Sequence, residues 1–254
     1  MERERLAHTE RDIHAENRRI RSRFPHADRY PSKFRIQAVL DGHVRDLSGK
    51  IVLDYGCGTG AAVIQYLRAG AKKVFGMDIS EKYIEKAKAL CVEKGYPPER
   101  YDLRVMDAHN LEYEAGTFDY AIGLGVLHHL DTKTALDGLH RVLKPGGRLL
   151  LLEPLADNPL LKLFRWLTPR ARTPDEHPFT AKDIAGMFPS SAWTPEMSYA
   201  GIIEAPVSVL TGLLMPSRVG NFLLRSADRL ESWVNKRQIL PSWNQCVLFS
   251  LVRK

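Results

Sequence analysis

Apolar positions along this chain switch repeatedly between two rhythms: short unbroken or alternating runs, and recurrences every three or four residues. The runs Ile51–Asp54, Lys73–Met77, Asp102–Met106, Thr117–Gly123 and Arg148–Glu153 each predict a strand. Helical spacing between them predicts helices over Ala61–Arg68, from Ser80 through Ile84, Ala87, Leu90 and Cys91, and over Thr132–Leu143 with Leu136, Leu139 and Val142 turned inward. Ser80 is a good N-cap for the second of these, and Pro145-Gly146-Gly147 is expected to end the third. Ser32–Leu47 reads as a helix leading to the first strand, with Phe34, Ile36, Val39, Leu40 and Val44 on its buried side. Strands that alternate with helices of this length imply right-handed crossovers, so the fold class is α/β with a doubly wound, mainly parallel sheet. Leu149–Leu152 is the continuous apolar run expected of a strand buried on both faces.

After Glu153 the rhythm loosens. Pro154–Pro178 holds five prolines, a short apolar helix around Leu160–Leu167 and a basic stretch with Arg170 and Arg172. Thr180 is expected to cap a helix through Phe188, Ser198–Ala205 reads as a sixth strand, and Cys246–Val252 as a seventh. Between the last two lies an insertion, Pro206–Trp243, of roughly 40 residues, too long for an ordinary connection. Within it Val219, Phe222, Leu223, Leu230 and Val234 fall on one helical face and Arg218, Arg225, Arg229 and Lys236 on another. At the other end, Met1–Phe24 is dense in charge of both signs, with Leu6, Ile13 and Ile20 one every seven positions. That narrow stripe suits a helix that covers a site as a lid or pairs with a second subunit. The organisation expected is a helical segment, 1–47, before one ligand-binding domain, 48–254, with insertions at about 154–178 and 206–243.

Composition adds little to this outline. With 254 residues, 44% hydrophobic and 26% charged, the chain can bury a sizeable core. A net charge of +7 permits attraction to nucleic acid, anionic lipid or an anionic small molecule without requiring any of them. Cys57, Cys91 and Cys246 have no metal-ligand or C-x-x-C spacing, so no metal is expected, and a reducing compartment suits them. A charged N-terminus and the lack of a long apolar run lead to the expectation of a cytoplasmic protein.

The candidate chemistry gathers at strand ends. I-V-L-D-Y-G-C-G-T-G, residues 51–60, is a strand, a tight turn and the start of a helix. Gly56, Gly58 and Gly60 suit a backbone that turns sharply close to a ligand, and the helix start offers free N–H groups. G-C-G-T-G-A also satisfies the dinucleotide fingerprint G-x-G-x-x-G/A, which leaves a nicotinamide cofactor open. Doubly wound sheets bind ligands beyond the carboxyl ends of their strands, where Asp54, Asp78, Asp107, the turn after Gly123 and Glu153 stand.

Taken in order, V-L-D-Y-G-C-G-T-G, the acids Asp78 and Asp107, V-L-H-H-L and V-L-K-P-G-G resemble class I S-adenosylmethionine-dependent methyltransferases, particularly their small-molecule group. The resemblance is close over Ser48–Glu153 and implies a seven-stranded, Rossmann-like sheet with helical insertions, and S-adenosylmethionine as cofactor, leaving S-adenosylhomocysteine. It assigns Gly56, Cys57, Gly58 and Gly60 to the turn beneath the methionine part, with Asp54 beside them to receive polar or ammonium groups. Asp78 would accept from the ribose hydroxyls and Ile79 would cover the adenine. Asp107 would take the adenine amino group with Ala108 alongside, and Leu124 and Gly125 would wall the sulfonium. Proton removal from an acceptor would fall to His128, His129 or Glu153. A carbon acceptor would instead need its developing charge stabilised by Glu153 and aromatic faces such as Tyr30, Phe164 or Trp166. Phe222 joins these as an acceptor contact. The apolar insertions suggest a small, lipid-like acceptor such as an isoprenoid, quinone or polyketide, and the basic face within 217–236 an anionic group or membrane surface. No nucleic-acid partner is expected, because the fourth strand lacks the N/D-P-P-Y/F turn of base-amino methylation. An RNA methyltransferase, a nicotinamide oxidoreductase and an inactive cofactor-binding regulator remain the alternatives.

Overall fold

The computed structural model describes residues 22, 24–27, 29–168 and 176–254. The expected N-terminal lid or subunit-contact helix, apart from residues 22 and 24, and both Arg170 and Arg172 lie outside them. Seven strands form one sheet: β1 (Ile51–Tyr55), β2 (Lys73–Asp78), β3 (Tyr101–Val105), β4 (Phe118–Leu124), β5 (Leu143–Pro154), β6 (Trp193–Ala200) and β7 (Cys246–Arg253). Their order is β3-β2-β1-β4-β5-β7-β6. β1 pairs in parallel with β2 on one side and β4 on the other, and β2–β3 and β4–β5 are also parallel. Chain order therefore reverses at β1, the switch point at which such sheets open a crevice.

Helices α1 (Pro31–Val44), α2 (Ala61–Arg68), α3 (Glu81–Glu93) and α4 (Thr132–Val142) connect the early strands. Ser80 caps α3 as expected, accepting from the Tyr83 N–H, and Asp131 caps α4 by accepting from Thr134. Two details differ from the sequence reading. On α1, Ile36, Leu40 and Val44 are buried at a spacing of four, while Phe34 and Val39 are exposed, so the buried stripe is narrower than the apolar content suggests. L-K-P-G-G does not follow α4 as a loop: it opens β5, whose register against β4 jumps between Phe118↔Leu143 and Tyr120↔Arg148. Gly146, at φ +75°, supplies the left-handed residue this bulge needs.

Beyond β5 come α5 (Pro159–Leu167), α6 (Ala181–Ile184), α7 (Glu204–Leu214) and α8 (Phe222–Lys236). Thr180 caps α6 in a reciprocal capping box with Asp183, although the helix ends at Ile184 rather than Phe188. The sixth strand lies five residues earlier than expected, and Glu204–Ala205 already belong to α7.

The chain divides into two compact units. A sheet unit comprises 40–153, 186–197 and 249–254; a helical unit comprises 1–39, 154–185 and 198–248. The helical unit is organised by buried polar groups. The Glu231 carboxylate on α8 accepts from the N–H groups of Gly201, Ile203 and Glu204, which are the turn and first residue leading into α7. Glu204 in turn accepts from the Ser32 N–H at 2.7 Å, leaving its other oxygen without a partner among the described residues. Burial, aided by the Glu231 charge, pushes the Glu204 carboxyl up to about 7 against the hydrogen bonds from Ser32. Asn158 caps α5 and also donates to the carbonyls of Ile202 and Trp243.

Glu231 also sets how α8 is rotated. Its inward face is Leu224, Ala227, Glu231 and Val234. Leu230 and Phe222, expected inside, are exposed beside Trp233, and they share that outer surface with Arg225, Arg229, Lys236 and Arg237. The apolar and basic faces expected to oppose one another are thus largely one face, because a buried carboxylate fixes the helix by its hydrogen bonds. No helix among the described residues is long and apolar enough to cross a membrane.

Candidate functional site

β1 and β2 end side by side, and the turn after β1 is pinned to β2: the N–H groups of Gly56 and Cys57 both donate to the Met77 carbonyl, at 3.0 and 2.9 Å. The glycines there answer to different demands. A Cβ at Gly56 would lie 2.4 Å from Val126 Cγ2, and one at Gly60 would lie 2.8 Å from the Ala87 methyl. At Gly58 a Cβ would meet nothing within 4 Å, so that glycine is set by its left-handed φ of +50° and leaves open space above the turn. Cys57 is buried in the turn, and burial, with Asp54 and Asp78 nearby, raises its thiol well above the ordinary range. It is a neutral packing residue.

The three acids at neighbouring strand ends are differently engaged. Asp54 is buried, and its Oδ2 has no partner among the described residues. Burial first, then the Asp78 charge, pushes its carboxyl up to about 7. Asp78 stands between two loops: Oδ2 accepts from the Gly58 N–H and Oδ1 from the Ser80 N–H, each at 2.9 Å. Through these two backbone bonds it shapes the glycine turn and starts α3. Ile79 beside it is half-buried. Asp107 accepts at Oδ1 from the backbone and the ring of His109. Ala108 receives the Tyr55 hydroxyl at its carbonyl, 2.7 Å away, which ties the end of β1 to the loop after β3. The sequence reading passed over both Tyr55 and His109, for neither lies in a spaced motif.

On the other side of β1, Leu124 and Gly125 are exposed at the end of β4, and the Gly125 N–H bonds to the Leu152 carbonyl. The following turn, Leu127–His129, is held by one side chain. Glu153, buried at the end of β5, accepts from the N–H groups of Val126, Leu127 and His128 and from His128 Nδ1 at 2.7 Å. With four donors on it, this carboxylate has its acceptor capacity occupied and works as a staple and orienter. The Glu153 carboxylate can only accept, so His128 Nδ1 carries the proton of that bond and Nε2 is the ring nitrogen not engaged with Glu153. The rings of His128 and His129 lie 4.0 Å apart between centroids.

The residues expected to contact an acceptor belong to the helical unit. Tyr30 is a correction: it has no exposed surface, packs with Leu161, Ala205 and Leu224, and donates its hydroxyl to Gln245. A ring so enclosed is core, and its one polar atom is already satisfied. Phe164 meets Phe24 edge to face at 5.2 Å, whereas Trp166 and Phe222 are 75% and 62% exposed.

Comparison with known proteins narrows what such a site is for. Residues 52–147 match the family model described as a methyltransferase domain. The chain is 33% identical over 112 residues to the O-methyltransferase cnsE of Penicillium expansum, covering 44% of this chain and 40% of that protein. It is 40% identical over 109 residues to the tRNA (carboxymethyluridine(34)-5-O)-methyltransferase of Arabidopsis thaliana, covering 41% of this chain and 24% of that one. The chain thus spans less than half the length of these curated relatives. Among solved structures, geranyl diphosphate C-methyltransferase from Streptomyces coelicolor A3(2), in complex with S-adenosyl-L-homocysteine, matches with a TM-score of 0.62 over 86% of this chain and 80% of that one. At 13% identity that likeness is one of fold.

Proposed function

We propose that residues 52–147, which match the methyltransferase-domain model, form a class I S-adenosylmethionine-dependent methyltransferase domain and that this chain methylates a hydroxyl group on a small, largely apolar metabolite. The observation that carries the reading is the row of Asp54, Asp78 and Asp107 at the ends of three adjacent parallel strands, with an open glycine turn among them. These residues fit S-adenosylmethionine. The buried, unpartnered Oδ2 of Asp54 suits an ammonium donor that a ligand brings with it. Asp78, a carboxylate at the end of β2, suits the two ribose hydroxyls, and Asp107 can accept from the adenine amino group. When bound, the cofactor supplies a methyl group already activated by a positively charged sulfur.

What remains for the protein is alignment, exclusion of water and handling of one proton. Glu153 fixes the 126–128 backbone by three N–H groups and holds the His128 ring by a fourth bond. An imidazole oriented by a carboxylate, with its second nitrogen left to accept, is the arrangement that removes a proton from a hydroxyl as it is methylated. Glu153 is therefore a positioning residue and His128 the base. This pair favours a hydroxyl over a carbon acceptor, in keeping with the O-methyltransferase relative. The apolar character assigned to the acceptor is in keeping with the demethylmenaquinone methyltransferase of Lactococcus lactis, to which the chain is 35% identical over 123 residues.

The outer face of α8 supports a partner as well. Phe222, Leu230 and Trp233 stand there among four cations, with Arg237 4.4 Å over the Trp233 ring. The acids of this helix lie away from that face: Glu231 is buried, and Asp228 is half-buried in an ion pair with Arg35 of α1. Mixed aromatic and basic side chains of this kind suit an anionic lipid surface. Binding to phosphatidylglycerol vesicles that falls as salt rises, and that Trp233→Ala with Arg229→Ala reduces, is the expected result; no sedimentation at low salt removes the surface from the proposal.

The reaction is tested with S-adenosylmethionine carrying a deuterated methyl group and a small-molecule extract of the host cell. Label is expected in an organic-soluble methyl ether, with turnover lowered about a hundredfold in His128→Asn. Label in RNA instead would favour the activity of the Arabidopsis relative, and label nowhere, with S-adenosylhomocysteine still bound, would indicate a binding protein without transfer.

A further inference from the structure

One polar relay in the sheet unit takes no part in the reaction just described. Asp107 and His109 lie on the loop that follows β3, and the His109 backbone N–H and ring Nδ1 both reach Asp107 Oδ1, at 2.9 and 3.0 Å. On the far side of the ring, Nε2 lies 3.0 Å from the backbone N–H of Asp131. A backbone N–H only donates, so Nε2 is the bare nitrogen and the ring proton sits on Nδ1, directed at Asp107. Asp131 is itself immobilised as the N-cap of α4, accepting from the Thr134 N–H at 2.9 Å. The imidazole is thus locked between partners from two segments, and its tautomer is dictated by the one that cannot change.

The consequence falls on the carboxylate. Both His109 bonds end on Oδ1, which fixes the orientation of the group and leaves Oδ2 as the oxygen that meets a ligand. Resting on the cofactor reading above, we propose that His109 is a positioning residue that makes the site selective for a purine bearing an exocyclic amino group. Held in this way Asp107 presents an acceptor, which an amino group satisfies and a ring carbonyl in the same place opposes with a second acceptor. Were His109 only a tether between the loop and α4, its loss would weaken every ligand alike.

That difference is what calorimetry reads. S-adenosylhomocysteine and its 6-oxo counterpart, S-inosylhomocysteine, are titrated into the wild type and the variants His109→Asn, His109→Gln and His109→Ala, with melting temperatures as a check on folding. An Asn amide nitrogen takes the place of Nδ1 and keeps the donor to Asp107, whereas a Gln amide reaches the place of Nε2 and does not. The wild type and His109→Asn are expected to prefer the amino ligand by about tenfold or more, while His109→Gln and His109→Ala bind the two nearly equally. A preference kept in His109→Ala, including one kept while both affinities fall by the same factor, overturns the proposal. So does a wild type that binds both ligands equally. A wild type that binds neither overturns the cofactor reading together with it. Should His109→Ala fail to fold, the Asn and Gln variants carry the comparison alone.

Discussion

Glu231 in the helical unit and Asp54 in the sheet unit are both hidden from solvent, yet one accepts from three backbone N–H groups and the other leaves an oxygen with no partner among the described residues. A carboxylate buried with its lone pairs filled organises the chain around it. One buried with a lone pair empty raises the free energy of the unliganded protein and waits for a donor from outside. Glu153 shows that the distinction follows the hydrogen bonds and not the unit: it sits in the sheet unit with four donors upon it. What an acid still lacks separates Asp54 from Glu231 and Glu153, while Glu204, one of whose oxygens is also unpartnered among the described residues, is tied to Ser32 within the helical unit.

Removing a saturated acid should have the largest effect. Glu231→Ala strands three buried N–H groups and is expected to destabilise the protein by about 3 kcal/mol or more in urea unfolding, at least for the helical unit. A loss under about 1 kcal/mol would break the comparison at once. Asp78→Ala probes an acid that serves two backbone donors and is also assigned to the cofactor. Its affinity for S-adenosylhomocysteine should fall by about 2 kcal/mol or more, roughly thirtyfold, in calorimetry. Unchanged binding would remove Asp78 from the cofactor site.

Asp54→Asn sharpens the comparison most subtly, through pH. A carboxyl raised to about 7 in the fold, and near its ordinary value when unfolded, binds more protons in the native state between those two pKa values. Stability is then free of the penalty below the unfolded pKa, declines as pH rises between the two, and carries the whole penalty above about 7. Asparagine has no charge to bury, so the unliganded variant should be more stable than the wild type at pH 8 by roughly 1–3 kcal/mol and nearly equal to it at pH 4. The same variant should bind S-adenosylhomocysteine less well. Stability that changes identically with pH in both proteins would show that Asp54 is satisfied after all.

How much of this could be read in advance differs between the units for physical reasons. β1 and β2 are largely buried runs with an acid at or next to their last residue, Asp54 and Asp78, so hydropathy marks those strand ends. β3 buries only Leu103, and its end near Asp107 was legible from the alternation of strands and helices instead. The staple formed by Glu153 was not legible, since four hydrogen bonds leave no periodic trace. In the helical unit the signals were misleading. α8 has enough apolar side chains to suggest a buried stripe through Phe222 and Leu230, but Glu231, a residue that looks solvent-bound in sequence, is what turns inward. Tyr30 was expected at the acceptor for its aromatic face, whereas its hydroxyl has a partner 215 positions away in sequence, Gln245. β6, W-T-P-E-M-S-Y-A, was placed too late because Pro195 and its polar neighbours resemble a loop.

That proline is tolerated because β6 is the outermost strand of the sheet. At the opposite rim, β3 carries Asp102 and Arg104 joined in a forked ion pair. A second copy attempting to extend the sheet would meet a missing donor at one margin and fixed charge at the other, so both borders resist strand-on-strand growth. Freshly made chains crowded together are thereby steered away from fibrous stacking.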